Sequence, residues 1–108
     1  MYQVIIVDDE PIIRNGIQAY IDWEKQGLTV VDAFSNGEEA LTFLENGKVD
    51  ILITDIKMPL LDGIQLMRQA LKQNPQLKVI LLSSYSDFEY AREGLKLGAV
   101  DYILKGAL

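Results

Sequence analysis

A chain of 108 residues has room for one domain with a single core, and its 49% hydrophobic and 24% charged residues suit a globular fold rather than a disordered one. The net charge of -6 excludes direct, sequence-independent binding of nucleic acid, which needs clustered Lys and Arg to neutralise phosphates. Without a single cysteine or histidine, disulfides, thiolate chemistry, Ser-His-Asp triads and histidine-built zinc sites are all excluded, so any nucleophile is a carboxylate, hydroxyl or lysine.

Period and punctuation then predict the elements. "YQVIIVDD" (2–9) reads as a buried strand, and Pro11 opens a helix with Ile12, Ile13, Gly16, Ile17, Tyr20 and Ile21 on one side, closed by Gly27. "LTVVDAF" (28–34) is a second strand. Ser35 with Glu38 forms a capping box for a helix holding Ala40, Leu41 and Leu44, ended by Asn46-Gly47. "DILITD" (50–55) is the third strand, followed from Gly63 by a helix with Ile64, Met67, Ala70 and Leu71 inward, and Pro75 marks the next turn. "LKVILLSS" (77–84) is the fourth. Ser86 with Glu89 makes another capping box, and Phe88, Ala91 and Leu95 line a helix ended by Gly98, after which "AVDYILK" (99–105) is the fifth strand. Buried runs of five to eight residues rich in Val and Ile are too short for core helices. Alternation of strands and helices predicts an α/β, doubly wound, five-stranded parallel sheet covered on both faces. No run of about 18 apolar residues occurs and the N-terminus lacks a basic signal region, so a cytoplasmic protein without a membrane span is expected.

In such a sheet the carboxyl ends of the strands gather in one crevice, beside the point where strand order reverses. The first strand ends on Asp8, Asp9 and Glu10, the third on Asp55, the fourth on Ser83 and Ser84, and the fifth on Lys105. The second delivers nothing comparable, as expected of an edge strand in the order 2-1-3-4-5. A lone acid at a strand tip is ordinarily a cap or turn residue. Several together repel, and a hard divalent cation offsets that: Mg²⁺ takes carboxylate, water and phosphate oxygens and needs no histidine.

"VDDE" at 7–10, "DIKMPLLDG" at 55–63, "LLSSYSD" at 81–87 and "DYILK" at 101–105 resemble, in this order and over essentially the whole chain, the receiver domain of two-component response regulators. Stretches 16–28 and 85–105 look most like receivers joined to an arabinose-regulator-type helix-turn-helix domain. The resemblance implies a flavodoxin-like (CheY-like) fold and a phosphorylation switch. Asp55 is then the phospho-acceptor, served by a sensor histidine kinase. Asp8 and Asp9 are the acidic pair holding Mg²⁺, Asp9 directly and Asp8 through water, with the backbone carbonyl of Lys57 as a third protein ligand beside Asp55. Ser83 and Lys105 bind phosphoryl oxygens. Tyr102 occupies the aromatic switch position, and the side chains of Lys57 and Tyr85 tune hydrolysis of the acyl phosphate. DNA is reached only through an output domain beyond this chain.

Two departures from the family pattern stand out. Gly106 follows Lys105 where receivers usually carry proline, and the family continues into a fifth helix where this chain stops at Leu108. The expectation is a single receiver domain over 1–108, truncated before that helix or ending in a non-native "GAL". Its bared apolar sheet face would be covered by a second copy in a homodimer. The alternative is a degenerate receiver used only for docking or dimerisation. An aspartyl phosphatase is disfavoured because Lys57 stands where a general acid would be needed, and a flavodoxin-like cofactor binder because "DDEP" replaces a glycine-rich loop.

Overall fold

The computed structural model describes residues 1–107; Leu108, the end of the "GAL" tail, lies outside the described residues. Five strands, β1 (Tyr2–Val7), β2 (Leu28–Phe34), β3 (Ile51–Asp55), β4 (Lys78–Ser83) and β5 (Asp101–Leu104), alternate with α1 (Pro11–Tyr20), α2 (Gly37–Asn46), α3 (Gly63–Gln73) and α4 (Phe88–Leu97). All neighbouring strands are parallel, in the order β2-β1-β3-β4-β5. The doubly wound architecture expected from the alternation is the one formed, with four α-helices among the described residues.

Alternate side chains of each strand enter opposite layers. Ile5, Val7, Leu52, Val79 and Leu81 pack with Ala40 of α2, Leu66, Met67 and Ala70 of α3 and Ala91 of α4. Val4, Ile6, Ile53 and Leu82 pack with Ile17 of α1 on the other face, where Ile51, Ile80 and Ile103 are only partly buried. The central strands are apolar on both faces because helices cover both.

The ends of the helices differ from the sequence reading in three places. Helix α1 stops at Tyr20, well before Gly27, because the Trp23 indole N–H turns back to the Gln18 carbonyl (3.1 Å). Gly27, at φ 75, instead closes a 3₁₀ turn over Glu24–Gln26. The cap of α2 is Asn36, not Ser35: its side chain accepts the Glu39 N–H at 2.8 Å, so the same spacing is used one residue later by a stronger capping residue. No Ser86–Glu89 box starts α4. A 3₁₀ turn (Tyr85–Asp87) precedes it, and the Ser84 hydroxyl bridges to the Asp87 carboxylate at 2.9 Å, so the loop is tied across the turn rather than to the helix N–H groups. Helix α3 has a complete box, Asp62 with Gln65.

That box brings the start of α3 against the end of β3. Gly63 donates its N–H to the Ile56 carbonyl at 2.8 Å, and a Cβ on Gly63 would lie 2.0 Å from the Asp55 carbonyl oxygen. The contact is with backbone, which has nowhere to go. Gly63→Ala, although alanine favours helix by about 1 kcal/mol, is therefore expected to lower stability by at least about 1–3 kcal/mol through overpacking. Gly16→Ala on α1, where a Cβ meets nothing within 4 Å, is expected to raise it. Urea unfolding midpoints of the two variants decide this, and equal shifts would show the close approach to be unimportant.

Candidate functional site

Register assembles the site. Val7 pairs with Thr54, so the next residues, Asp8 and Asp55, stand side by side at adjacent strand tips. Asp55 pairs with Leu82, which places Ser83 one step further out, and Ser83 pairs with Leu104, which leaves Lys105 at the rim of the crevice. Asp8 and Ser83 are 0% exposed and Asp55 2%, while Asp9 and Glu10 reach solvent.

Lys105 Nζ lies 3.0 Å from Asp55 Oδ1, 3.1 Å from Asp8 Oδ2 and 3.2 Å from Glu10 Oε1. Replacing the usual proline by Gly106 has not turned the lysine away. Asp55 Oδ1 also accepts the Ile56 N–H at 2.9 Å, leaving Oδ2 as the oxygen engaged by neither contact. Asp8 Oδ1 accepts the Glu10 N–H at 2.9 Å. Asp8 Oδ2, however, is buried without a hydrogen-bond partner. Its approach to Lys105 satisfies an ion-pair distance but not hydrogen-bond geometry, so the two observations are compatible.

Burial pushes the Asp55 carboxyl up to about 6, and the neighbouring Asp8 charge adds to this; Lys105 and the Ile56 N–H oppose it. Burial likewise raises Asp8, against the Glu10 N–H and Lys105. Burial works against the ammonium of Lys105, but Asp55 and Asp8 together outweigh it and hold the lysine above its ordinary value. One cation serves several acids. Oxygens of Asp8, Asp9, Glu10 and Asp55 all lie within 4.8 Å of one another, an all-carboxylate donor set suited to a hard divalent cation. The partnerless Asp8 Oδ2 is the atom such an ion would satisfy directly or through water.

The other sequence-predicted residues fall around this centre. The Ser83 hydroxyl donates to the Ser84 carbonyl at 2.8 Å. Lys57 is exposed and lines an open cavity with Glu10, Asp55, Ser84, Ser86, Asp87 and Lys105, its ammonium 4.4 Å from the centre of the Tyr90 ring. Tyr102 lies outside the acid cluster, half-buried and edge-on to Phe88 with centroids 6.1 Å apart, and Tyr85 is 84% exposed. Three participants were missed in the sequence: Glu10 as a partner of Lys105, Asp87 as a buried acid, and Arg14, whose Nη1 donates to the Asp8 carbonyl at 2.8 Å. Glu10 was at least visible in "VDDE". Nothing in the residue pattern marks Arg14, because its partner is a backbone atom.

The description "Response regulator receiver domain" fits a family profile matching residues 4–107. Over 105 residues the chain is 38% identical to the Uncharacterized transcriptional regulatory protein YesN of Bacillus subtilis (strain 168), covering 97% of this chain and 28% of that protein. Its structure is similar to the REC domain of AraT, a response regulator from Geobacillus stearothermophilus, with TM-score 0.90, 41% identity and coverage of 96% of this chain and 81% of that one. It is also similar to a two component transcriptional regulator AraC from Clostridium phytofermentans ISDg, with TM-score 0.89, 35% identity and coverage of 98% and 82%. The chain spans 28% to 41% of the length of the curated relatives it matches.

The raised value for Asp55 has a consequence for stability. A carboxyl that ionises less readily when folded contributes stability that is fully present below about 3.8 and lost as pH rises through about 6. Asp55→Asn, which cannot ionise, is therefore expected to melt several degrees above the unsubstituted chain at pH 7.5 in chelator, a gain of at most about 3 kcal/mol. The gain should shrink towards pH 4. Thermal melts between pH 4 and 8 test this, and a lower melting temperature for the variant at pH 7.5 would contradict it.

Proposed function

This chain belongs to the response regulator receiver domains, and from that premise we propose that it is a working phospho-acceptor switch in which Asp55 takes a phosphoryl group from a histidine of a sensor kinase in a Mg²⁺-dependent reaction. Receiver domains are signalling domains rather than enzymes in the ordinary sense; here the chemistry is self-phosphorylation from a donor and slow loss of the phosphoryl group. The observation that carries the reading is the buried contact of Asp55, Asp8 and Lys105, with Asp8 Oδ2 left without a hydrogen bond among three neighbouring acids.

Asp55 Oδ2 attacks phosphorus, the oxygen–phosphorus bond forms, and the phosphorus–nitrogen bond breaks with its electron pair going to the imidazole, which takes a proton. Asp8 and Asp9, with the Lys57 carbonyl, would hold the metal ion, which would supply positive charge to the phosphoryl oxygens. Lys105 keeps Asp55 oriented and then pairs with a phosphoryl oxygen. Ser83 gives up the Ser84 carbonyl and donates to another. As Ser83 moves, Tyr102 leaves the edge of Phe88 and turns inward, changing the face formed by α4 and β5. This is a shift between two arrangements of the same packing. Lys57, which lines the cavity with Asp55, and the exposed Tyr85 would tune the hydrolysis that ends the signal by screening the attacking water.

Relatives named as transcriptional regulatory proteins support a role in transcription; on this reading it is exerted in the cytoplasm through a DNA-binding domain that is not among these residues. In the described residues no helix is long and apolar enough to cross a membrane. A second copy is the proposed cover for the α1 side of the sheet, where Ile51, Ile80 and Ile103 are half-buried. Light scattering showing a monomer at high concentration would remove that dimer.

Incubation with acetyl phosphate and Mg²⁺ is expected to add one phosphoryl group, seen by mass and lost in hydroxylamine. Asp55→Asn and chelation should each abolish it, and Ser83→Ala should slow it on the order of a hundredfold. Persistent labelling of the Asp55→Asn chain would show the acceptor to be another residue.

A further inference from the structure

We propose that Arg14 is a positioning residue for the divalent cation: by holding the Asp8 carbonyl, it fixes the Asp8–Asp9 peptide and with it the aim of the Asp9 carboxylate. This rests on the reading that the acid cluster binds Mg²⁺.

Asp8 is held at every polar backbone atom and at one carboxylate oxygen. Its N–H donates to the Phe34 carbonyl at 3.1 Å, its carbonyl accepts Arg14 Nη1 at 2.8 Å, and Oδ1 accepts the Glu10 N–H at 2.9 Å. Oδ2 has no hydrogen bond and faces the pocket beside Lys105 Nζ, 3.1 Å away. Asp9 differs: it is exposed, and among the described residues no hydrogen bond holds its side chain. Its carboxylate is therefore aimed by the backbone that carries it. The preceding peptide is the lever, and the oxygen of that peptide is the atom Arg14 grips. The bond is charge-assisted, and such bonds are among the stronger ones. Arg14 itself is half-buried on α1, whose Ile17 is packed against the sheet, so the grip transmits the rigidity of a packed helix to a loop that has little of its own.

The geometry separates three contributions of Arg14. Its long aliphatic stem fills space on the half-buried side of α1, its guanidinium carries a charge, and its Nη1 pins a carbonyl. Arg14→Met keeps the stem and removes the other two. Arg14→Lys keeps the charge and places one donor near the carbonyl, and one donor is all that the present contact uses. Arg14→Gln keeps a donor whose shorter side chain stops short of the carbonyl.

The test uses the whole 108-residue chain. Mn²⁺ binding is measured by electron paramagnetic resonance, and acetyl phosphate labelling is followed against Mg²⁺ concentration. Arg14→Met and Arg14→Gln are expected to weaken Mn²⁺ binding about tenfold, the range seen when groups supporting metal ligands are removed. They should raise the Mg²⁺ needed for half-maximal labelling by a similar factor, with the rate at saturating Mg²⁺ within about twofold of the unsubstituted chain. Arg14→Lys should recover most of the affinity. Mn²⁺ affinity unchanged in both Arg14→Met and Arg14→Gln would overturn the proposal, as would a labelling defect that saturating Mg²⁺ does not relieve. Absence of Mn²⁺ binding by the unsubstituted chain would instead remove the metal site itself, and this proposal with it.

Discussion

Asp8 and Asp55 end adjacent strands with their side chains buried, and one ammonium, that of Lys105, lies about 3 Å from both. Two carboxylates withdrawn from water repel each other and lose hydration, and each effect disfavours their charged forms. Lys105 offsets part of this and leaves a residue of it, because Asp55 still sits near 6 rather than in the ordinary carboxylate range. The centre is thus built short of positive charge. On the proposed function a divalent cation would supply what is missing, and a phosphoryl group, which brings further negative charge to the same oxygens, would need that cation's help.

What holds so unfavourable a cluster together is the rest of the molecule. Parallel strands of matched register set Asp8 beside Asp55 and carry Ser83 and Lys105 to the same rim. The two apolar layers, one under α1 and one under α2, α3 and α4, keep those tips from separating. At the end of β3 the packing is closest. Gly63 lies so near the Asp55 carbonyl that no side chain fits, and the Asp62–Gln65 box fixes the helix start that brings it there. The fold therefore stores the repulsion of the acids against the burial of Ile5, Leu52, Val79 and their neighbours.

The sheet and the gathering of Asp8, Asp55 and Lys105 at its rim were legible in the sequence because both are written in side chains. Apolar runs such as "VIIV" and "ILIT" announce buried parallel strands, and an acid or lysine directly after such a run has one place to be. Helix termini were less legible. At Asn36 two overlapping spacings of equal form compete, and at Asp87 the tie runs across a turn by way of Ser84, which no box pattern describes. The stop of α1 at Tyr20 depends on where the Trp23 ring finds a carbonyl, a tertiary event. Arg14 was hidden for the same reason. Contacts made to backbone atoms leave no complementary residue type in the sequence to read.

The pairings of Ser83 and Tyr102 show why the resting arrangement need not be the only one. Ser83, fully buried, has its hydroxyl on the Ser84 carbonyl, a hydrogen bond within one loop that asks nothing of Asp55. Tyr102, on the neighbouring strand, rests its ring edge-on to Phe88 at the first residue of α4. Each contact is worth about 1 kcal/mol, less than the roughly 1.5–3 kcal/mol that a hydrogen bond to a charged oxygen provides. A charged group at Asp55 would therefore outcompete the Ser84 carbonyl for the hydroxyl, while the strands that carry both residues are fixed by the core. On the proposed function a bias applied at Asp55 would move side chains on β4, β5 and α4 without disturbing the sheet, which is what a switch built into a rigid domain requires.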